Sequence, residues 1–345
     1  MQEPVTDHFA YGGQAVVEGV MMRGRRQMAV AVRAPSGEIV VWSDDVRASR
    51  LARRVRTKPV VRGGVLLWDT MTLGTRALVF SAAVGMLPRS GDNVATPPVP
   101  TPKTPTLAGS PLWLGVALSI LFAITVFFVL PLVIVEALDP HIASAFVSNV
   151  VEGLIRLGLL VGYMHGIGFL PEIRRVYAYH GAEHKAMHAW EAGVPLDVPH
   201  VRRFPLEHPR CGTAFMLVVM LLSLAVFMAM GRPDLPLRLA SRIVVVPLVA
   251  GVAYELLKFG ARHAAHPALR AIFSPSLKLQ RLTTREPDDG MLEVAIAALL
   301  HVLAADGRLA ASDPRLGAAR RVDAGLRPLP PLTPPFPDAF EPAAD

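Results

Sequence analysis

Gly212 to Met230 reads GTAFMLVVMLLSLAVFMAM, an uncharged run bounded by Arg210 and Arg232. About 20 apolar residues suffice to cross a bilayer, so a run of this kind is a span before it is a core element. Backbone amides in lipid must bond within their own segment, which makes such a run a helix. Pro111 to Leu138 is another, with Glu136 as its first charge. Ala143 to Leu170 carries Glu152, Arg156 and His165, yet it also reads as a span, because Arg156 stands one helical turn after Glu152 and can pair with it. Ile243 to Leu257 is short and interrupted by Pro247, Gly251 and Glu255, and it crosses only by recruiting its flanks. The expected fold class is mainly α: a polytopic helical membrane protein of about four spans, with a small cytoplasmic β-containing N-terminal region.

Lysine and arginine placement orients it. Arg23, Arg25 and Arg26 form one N-terminal cluster, and Arg47, Arg50, Arg53, Arg54, Arg56, Lys58 and Arg62 another. Asp139-Pro140-His141, after the first span, has neither residue type nearby, whereas Arg174, Arg175, Lys185, Arg202, Arg203 and Arg210 fall between the second and third spans. The positive-inside rule then puts both termini and this loop in the cytoplasm, with Arg232 and Arg238 as the exceptions. A cell-membrane location, multipass, follows. The N-terminus has no short apolar core of the kind a cleavable signal needs. One cysteine in the chain excludes an internal disulfide.

The parts outside the spans divide by composition. Residues 1–62 form the cytoplasmic N-terminal region, where Gln27 to Arg33 and Glu38 to Trp42 flank Ala34-Pro35-Ser36-Gly37 and predict a β-hairpin. Residues 63–89 predict an amphipathic or membrane-lying helix, and 90–110 a Pro/Thr-rich linker. Spans 1 and 2 occupy 111–170, a cytoplasmic loop and helix 171–211, and spans 3 and 4 212–257. Residues 258–305 form a helical C-terminal region, with Pro287-Asp288-Asp289 starting a helix over Met291 to Ala304. Residues 306–345 read as a disordered Pro-rich tail.

Chemistry concentrates in 171–211. Pro171 and Glu172 suit the first turn of a helix, and Gly193 before Pro195 suits its end. Within it, His180, His184 and His188 recur every fourth residue, and at about 100° per residue they form one drifting stripe to which Glu191 returns. Glu183 projects to one side, so His180 and His184 can hold an ion while Glu183 handles a proton. His208 and Cys211 stand three apart, a spacing that presents two ligands from one turn. Arg210 and the start of the third span both favour the Cys211 thiolate. The metal candidates are therefore His180, His184, His188, Glu191, His208 and Cys211, and the cofactor a divalent metal, with zinc favoured by the imidazole and thiolate set. The order H-x-x-E-H is that of inverted zincins, but no downstream acidic ligand of that class is identifiable.

Tyr11 to Gly24, Tyr179 to His188, His208 to Phe215 and Gln280 to Asp289 resemble segments of the YqhQ-like family of bacterial multipass membrane proteins, described as predicted metal-dependent enzymes. The likeness covers about residues 11 to 304. It implies that His180, Glu183, His184, His208 and Cys211 share one site, and it suggests roles for Glu18 and Glu286.

Two functions are compatible with this pattern. One is a membrane hydrolase with metal-activated water, Glu183 as general base and a lipid-linked or membrane-proximal substrate. The other is a scaffold whose metal ties the loop to the rest of the cytoplasmic part. The formal charge of +7 fits inside-positive topology and contact with anionic membrane lipids rather than nucleic acid, for which no motif is present. A homo-oligomer is compatible with the sequence and not specified by it.

Overall fold

The structure, a computed structural model, describes residues 11–46, 58, 60–89, 111–209, 211–231, 233–262 and 266–330. The 90–110 linker, the arginines of 47–57, Arg210, Arg232 and the last residues of the tail lie outside this description.

The predicted hairpin is present as β3 (Gln27–Arg33) and β4 (Ile39–Asp45), paired antiparallel around the 34–37 turn. It belongs to a larger sheet. β1 (Gly12–Val16) and β2 (Gly19–Arg23) extend it as an antiparallel meander, and β5 (Arg320–Val322) adds in parallel to β4, giving the order β1-β2-β3-β4-β5. Alternation along β3 assigns its two faces. Met28, Val30 and Val32 join Trp42 and Val322 in one core, while Ala29 and Ala31 join another beneath helices. Because both faces are covered, β3 reads as almost continuously apolar.

The first core is closed by α1 (Val61–Gly85), whose Leu73, Ala77, Phe80 and Val84 lie one or two turns apart and are buried against the sheet. This is the helix expected to be amphipathic or membrane-lying. In its second half one face is buried in this core and the other exposed, the amphipathic alternative, while Trp68 and Met71 in the first half are exposed. The second core is closed by α10 (Asp289–Ala305), capped by the Asp288 side chain accepting from the Met291 amide. Alanines on α10 and on β3 allow close packing there.

Among the described residues, three helices are long and apolar enough to cross a membrane: Ala117–His141, Ala145–Ile167 and Gly212–Met230. The first is assembled from α2 (Pro111–Ile124), a π-helical turn over Thr125–Val129 and α3 (Leu130–Leu138), running on into a short turn at Asp139–His141. The second is α4 (Ala145–Ile167), in which the expected Glu152–Arg156 pair forms at 2.7 Å with both side chains largely buried. The remaining sequence candidate lies within α8 (Leu235–Arg262), a continuous helix with Pro247 inside it. Arg238, Glu255 and Lys258 make it more polar than the other three. Arg62 at the start of α1 pairs with Glu255, which ties the helix beneath the sheet to α8.

The tail folds further than its composition suggests. Residues 306–330 are ordered, with a 3-10 turn at Pro314–Ala318, β5, and Leu316, Val322 and Leu326 buried. Asp306 accepts hydrogen bonds from the backbone amides of Arg25 and Arg26, at 2.8 and 3.0 Å, which fastens this segment to the β2–β3 turn.

Candidate metal centre

The histidine helix runs as expected, as α5 (Pro171–Glu191), with Pro171 in the first turn and an extended Leu170 before it. It follows α4 almost directly. Past it come the single turn α6 (Val198–Val201) and a loop over 202–209, and Cys211 stands at the N-cap position of α7 (Gly212–Met230). A second loop, 281–288, leads from α9 (Pro267–Gln280) to α10. Both loops lie against α5, and the candidate ligands meet there.

All six predicted ligands fall in this region, but in two groups of three. His180, His184 and Cys211 each offer one ligand atom within 4.8 Å of the others, and so do His188, Glu191 and His208. The rings form a row: His180 and His184 are 4.4 Å apart, His184 and His208 5.6 Å, and His188 and His208 4.6 Å between centroids.

Carbonyl groups set the imidazole tautomers. His180 Nδ1 is 2.9 Å from the Thr283 carbonyl, and His184 Nδ1 is 2.5 Å from the Leu206 carbonyl. A carbonyl can only accept, so in the neutral ring each Nδ1 carries the proton and each Nε2 the lone pair. His180 Nε2 lies 3.3 Å from Cys211 Sγ. A tetrahedral ion would hold a nitrogen and a sulfur ligand roughly 3.5–3.6 Å apart, so these two atoms would need to separate by only a few tenths of an ångström to share one. His188 is arranged in the opposite sense. Its Nε2 donates to the Glu207 carbonyl at 2.8 Å, which leaves Nδ1 as its lone-pair atom. Burial lowers the His188 pKa from its ordinary value, partly offset by that carbonyl, and so favours the neutral ring a metal needs.

Glu183 does not stand clear of the stripe as helical rotation alone suggests. Its carboxylate bends back until Oε2 is 3.6 Å from His184 Nε2, and the side chain is almost fully buried. Gly13 on β1 makes the room: a Cβ there would lie 2.8 Å from Glu183 Cγ. The catalytic candidate therefore sits beside the first ligand group, under the sheet's first strand.

Several supporting groups gave no sequence signal of their own. Lys185 is buried, donating to the Arg202 carbonyl at 2.9 Å and to Glu286 at 2.6 Å. That gives Glu286 a partner and pins the 281–288 loop to α5. Glu18, in the two-residue β1–β2 turn at φ 52°, takes both Nε and Nη2 of Arg175 at 2.5 Å, with the Tyr179 hydroxyl 3.3 Å away. Burial and the Glu18 charge push the Tyr179 phenol pKa well up, so it remains a donor. Gln280 is fully buried and bonds His208 from both ends, accepting from its amide and donating to its carbonyl, each at 2.9 Å. The polar residues of 280–289 could have been suspected only from the resemblance, since they are distant in sequence from the ligands they support.

Comparison with known proteins shows the family. The chain is 33% identical over 298 residues to the uncharacterized protein YqhQ of Bacillus subtilis (strain 168), covering 85% of this chain and 92% of that protein. No solved structure matches it. The family described as protein of unknown function, DUF1385, matches residues 58–305, a span that contains α5, both loops and every candidate ligand, and the chain belongs to that family.

Proposed function

We propose that this protein is a metal-dependent hydrolase of the cell membrane, acting on a lipid-linked or membrane-proximal substrate. His180 Nε2, His184 Nε2 and Cys211 Sγ hold a divalent ion, and the soft thiolate with two imidazoles favours zinc. Such an ion, when bound, supplies Lewis-acid activation of water near neutral pH. The observation that carries the reading is the nearly buried Glu183 carboxylate, 3.6 Å from His184 Nε2. It is placed to accept a proton at the edge of the ligand group. Lys185, Glu286, Gln280 and the Glu18–Arg175 pair position the surrounding segments.

The position of the site supports this substrate class. α5 begins four residues after α4 ends, and Cys211 is the N-cap of α7. Ligands so close to the ends of two apolar helices belong at the membrane surface, where α8 supplies the fourth crossing. Arginine placement puts that surface, with both termini, on the cytoplasmic side, facing anionic lipid headgroups.

A scaffold with a structural ion is the competing reading. It is favoured by the depth of the site: His184 is 2% exposed, and Glu183 could close a fourth position. Complementation of a deletion strain, beside metal analysis of each purified variant, separates the two. Glu183→Gln should retain metal and lose function by about a hundred- to ten-thousand-fold, the usual contribution of a general base. His184→Ala should lose both. Full complementation by metal-replete Glu183→Gln would leave only the structural site.

A further inference from the structure

The second ligand group is more open than the first, with Glu191 exposed and His208 buried, and the proposed chemistry does not use it. His208 Nε2 lies 3.4 Å from Glu191 Oε2, the separation of two ligands on one ion at 2.0–2.1 Å, roughly 3.4 Å. His188, one turn before Glu191 on α5, has Nε2 committed to the Glu207 carbonyl, so Nδ1 is its ligand atom. His208 reaches the helix because the buried Gln280 amide holds its backbone from both sides. Phe204 stacks parallel to the His188 ring at 6.0 Å and fixes its plane. No residue of this group belongs to the first, and the His184 and His208 rings, one from each group, are 5.6 Å apart between centroids.

We propose that His188, Glu191 and His208 form a second divalent-metal site, so that one chain holds two ions side by side. The two differ in donor chemistry. The first is two imidazoles and a thiolate; the second is two imidazoles and a carboxylate, which suits zinc, iron or manganese and excludes a requirement for soft metals. Glu191 is 31% exposed at its side chain, so the second ion faces solvent and is the one that exchanges. The inference concerns ion number and ligands, and it holds whether the first ion is catalytic or structural.

Cobalt titration of the metal-stripped full chain in detergent tests it. The expected result is saturation at two equivalents, with thiolate-to-cobalt charge-transfer absorption developing for only one of them. Glu191→Gln should lower the capacity to one equivalent and keep the thiolate band. Cys211→Ser combined with His180→Ala should abolish the band and keep the other equivalent. Saturation of the unaltered chain at a single equivalent would overturn the proposal, a result that needs no variant to fold. A capacity of two retained in Glu191→Gln would overturn the ligand assignment.

Discussion

At Gly181, halfway along α5, the helix meets the 281–288 loop so closely that a Cβ would collide with the Arg285 carbonyl and approach Leu206. The contact lies beside the candidate site. Arg285 donates its amide to the Tyr177 carbonyl, and two residues earlier Thr283 presents the carbonyl that orients His180. Backbone cannot retreat as a side-chain end can, so Gly181→Ala should cost about 1–3 kcal/mol as an overpacking change. It should also loosen the first ion, since displacing the loop moves the Thr283 carbonyl from His180 Nδ1. Chemical denaturation and metal retention, measured together, check this. A variant with unchanged stability and metal content would show that the loop is not braced at Gly181. That the candidate residues of α5 share one face was legible from spacing, because histidines at every fourth residue fall on one side of a helix. Their division into two groups was not, since it depends on where 202–209 folds back.

Among the elements, α5, α7 and the β3–β4 hairpin were legible because each carries strong local punctuation: Pro171, an uncharged run, and a Pro-Ser-Gly turn. β1 and β2 escaped because Gly12, Gly13 and Gly19 depress strand propensity. β5 escaped because three residues, Arg320–Val322, are too few to show a period. α10 was foreseen as a helix, yet what it buries was not. His301 on its inner face is 3% exposed, with Nδ1 donating to the Ala297 carbonyl at 2.8 Å and Nε2 without a hydrogen-bond partner among the described residues. Burial lowers its pKa, so the folded protein holds it neutral. The unfolded chain has an ordinary histidine near 6.5. Stability from His301 is therefore complete above about pH 6.5 and is lost as pH falls from there toward the depressed folded value. His301→Leu should flatten the fall of Tm with acidification over that window, with His188 leaving a residual slope in metal-free protein. Identical pH profiles for the variant and the parent would show that His301 does not bind its proton differentially.

For the whole molecule, the governing question is on which side of the proposed membrane crossings the histidine helix lies. The sheet, α1, α5 and α10 form one packed body, in which Tyr179, Ala182 and Met187 of α5 share a core with Val20, Met22 and Leu299. The orientation of α5 therefore fixes that of the N-terminal sheet and of β5. A sheet, helix and C-terminal segment interlocked in this way cannot be on opposite sides. Arginine placement, read from sequence, and this packing thus make one joint prediction. In a Cys211→Ser background, Ser36→Cys in the β3–β4 turn and Pro195→Cys beyond α5 are both at exposed positions. Each should resist an impermeant thiol reagent on intact cells and react once the membrane is opened. His141→Cys, exposed at the other end of α3, should react from outside without opening. Outside labelling at both Ser36→Cys and Pro195→Cys would invert the orientation and place the ions in the extracytoplasmic space. Labelling at only one of them would contradict the shared core itself, because a single packed body presents both positions to the same compartment.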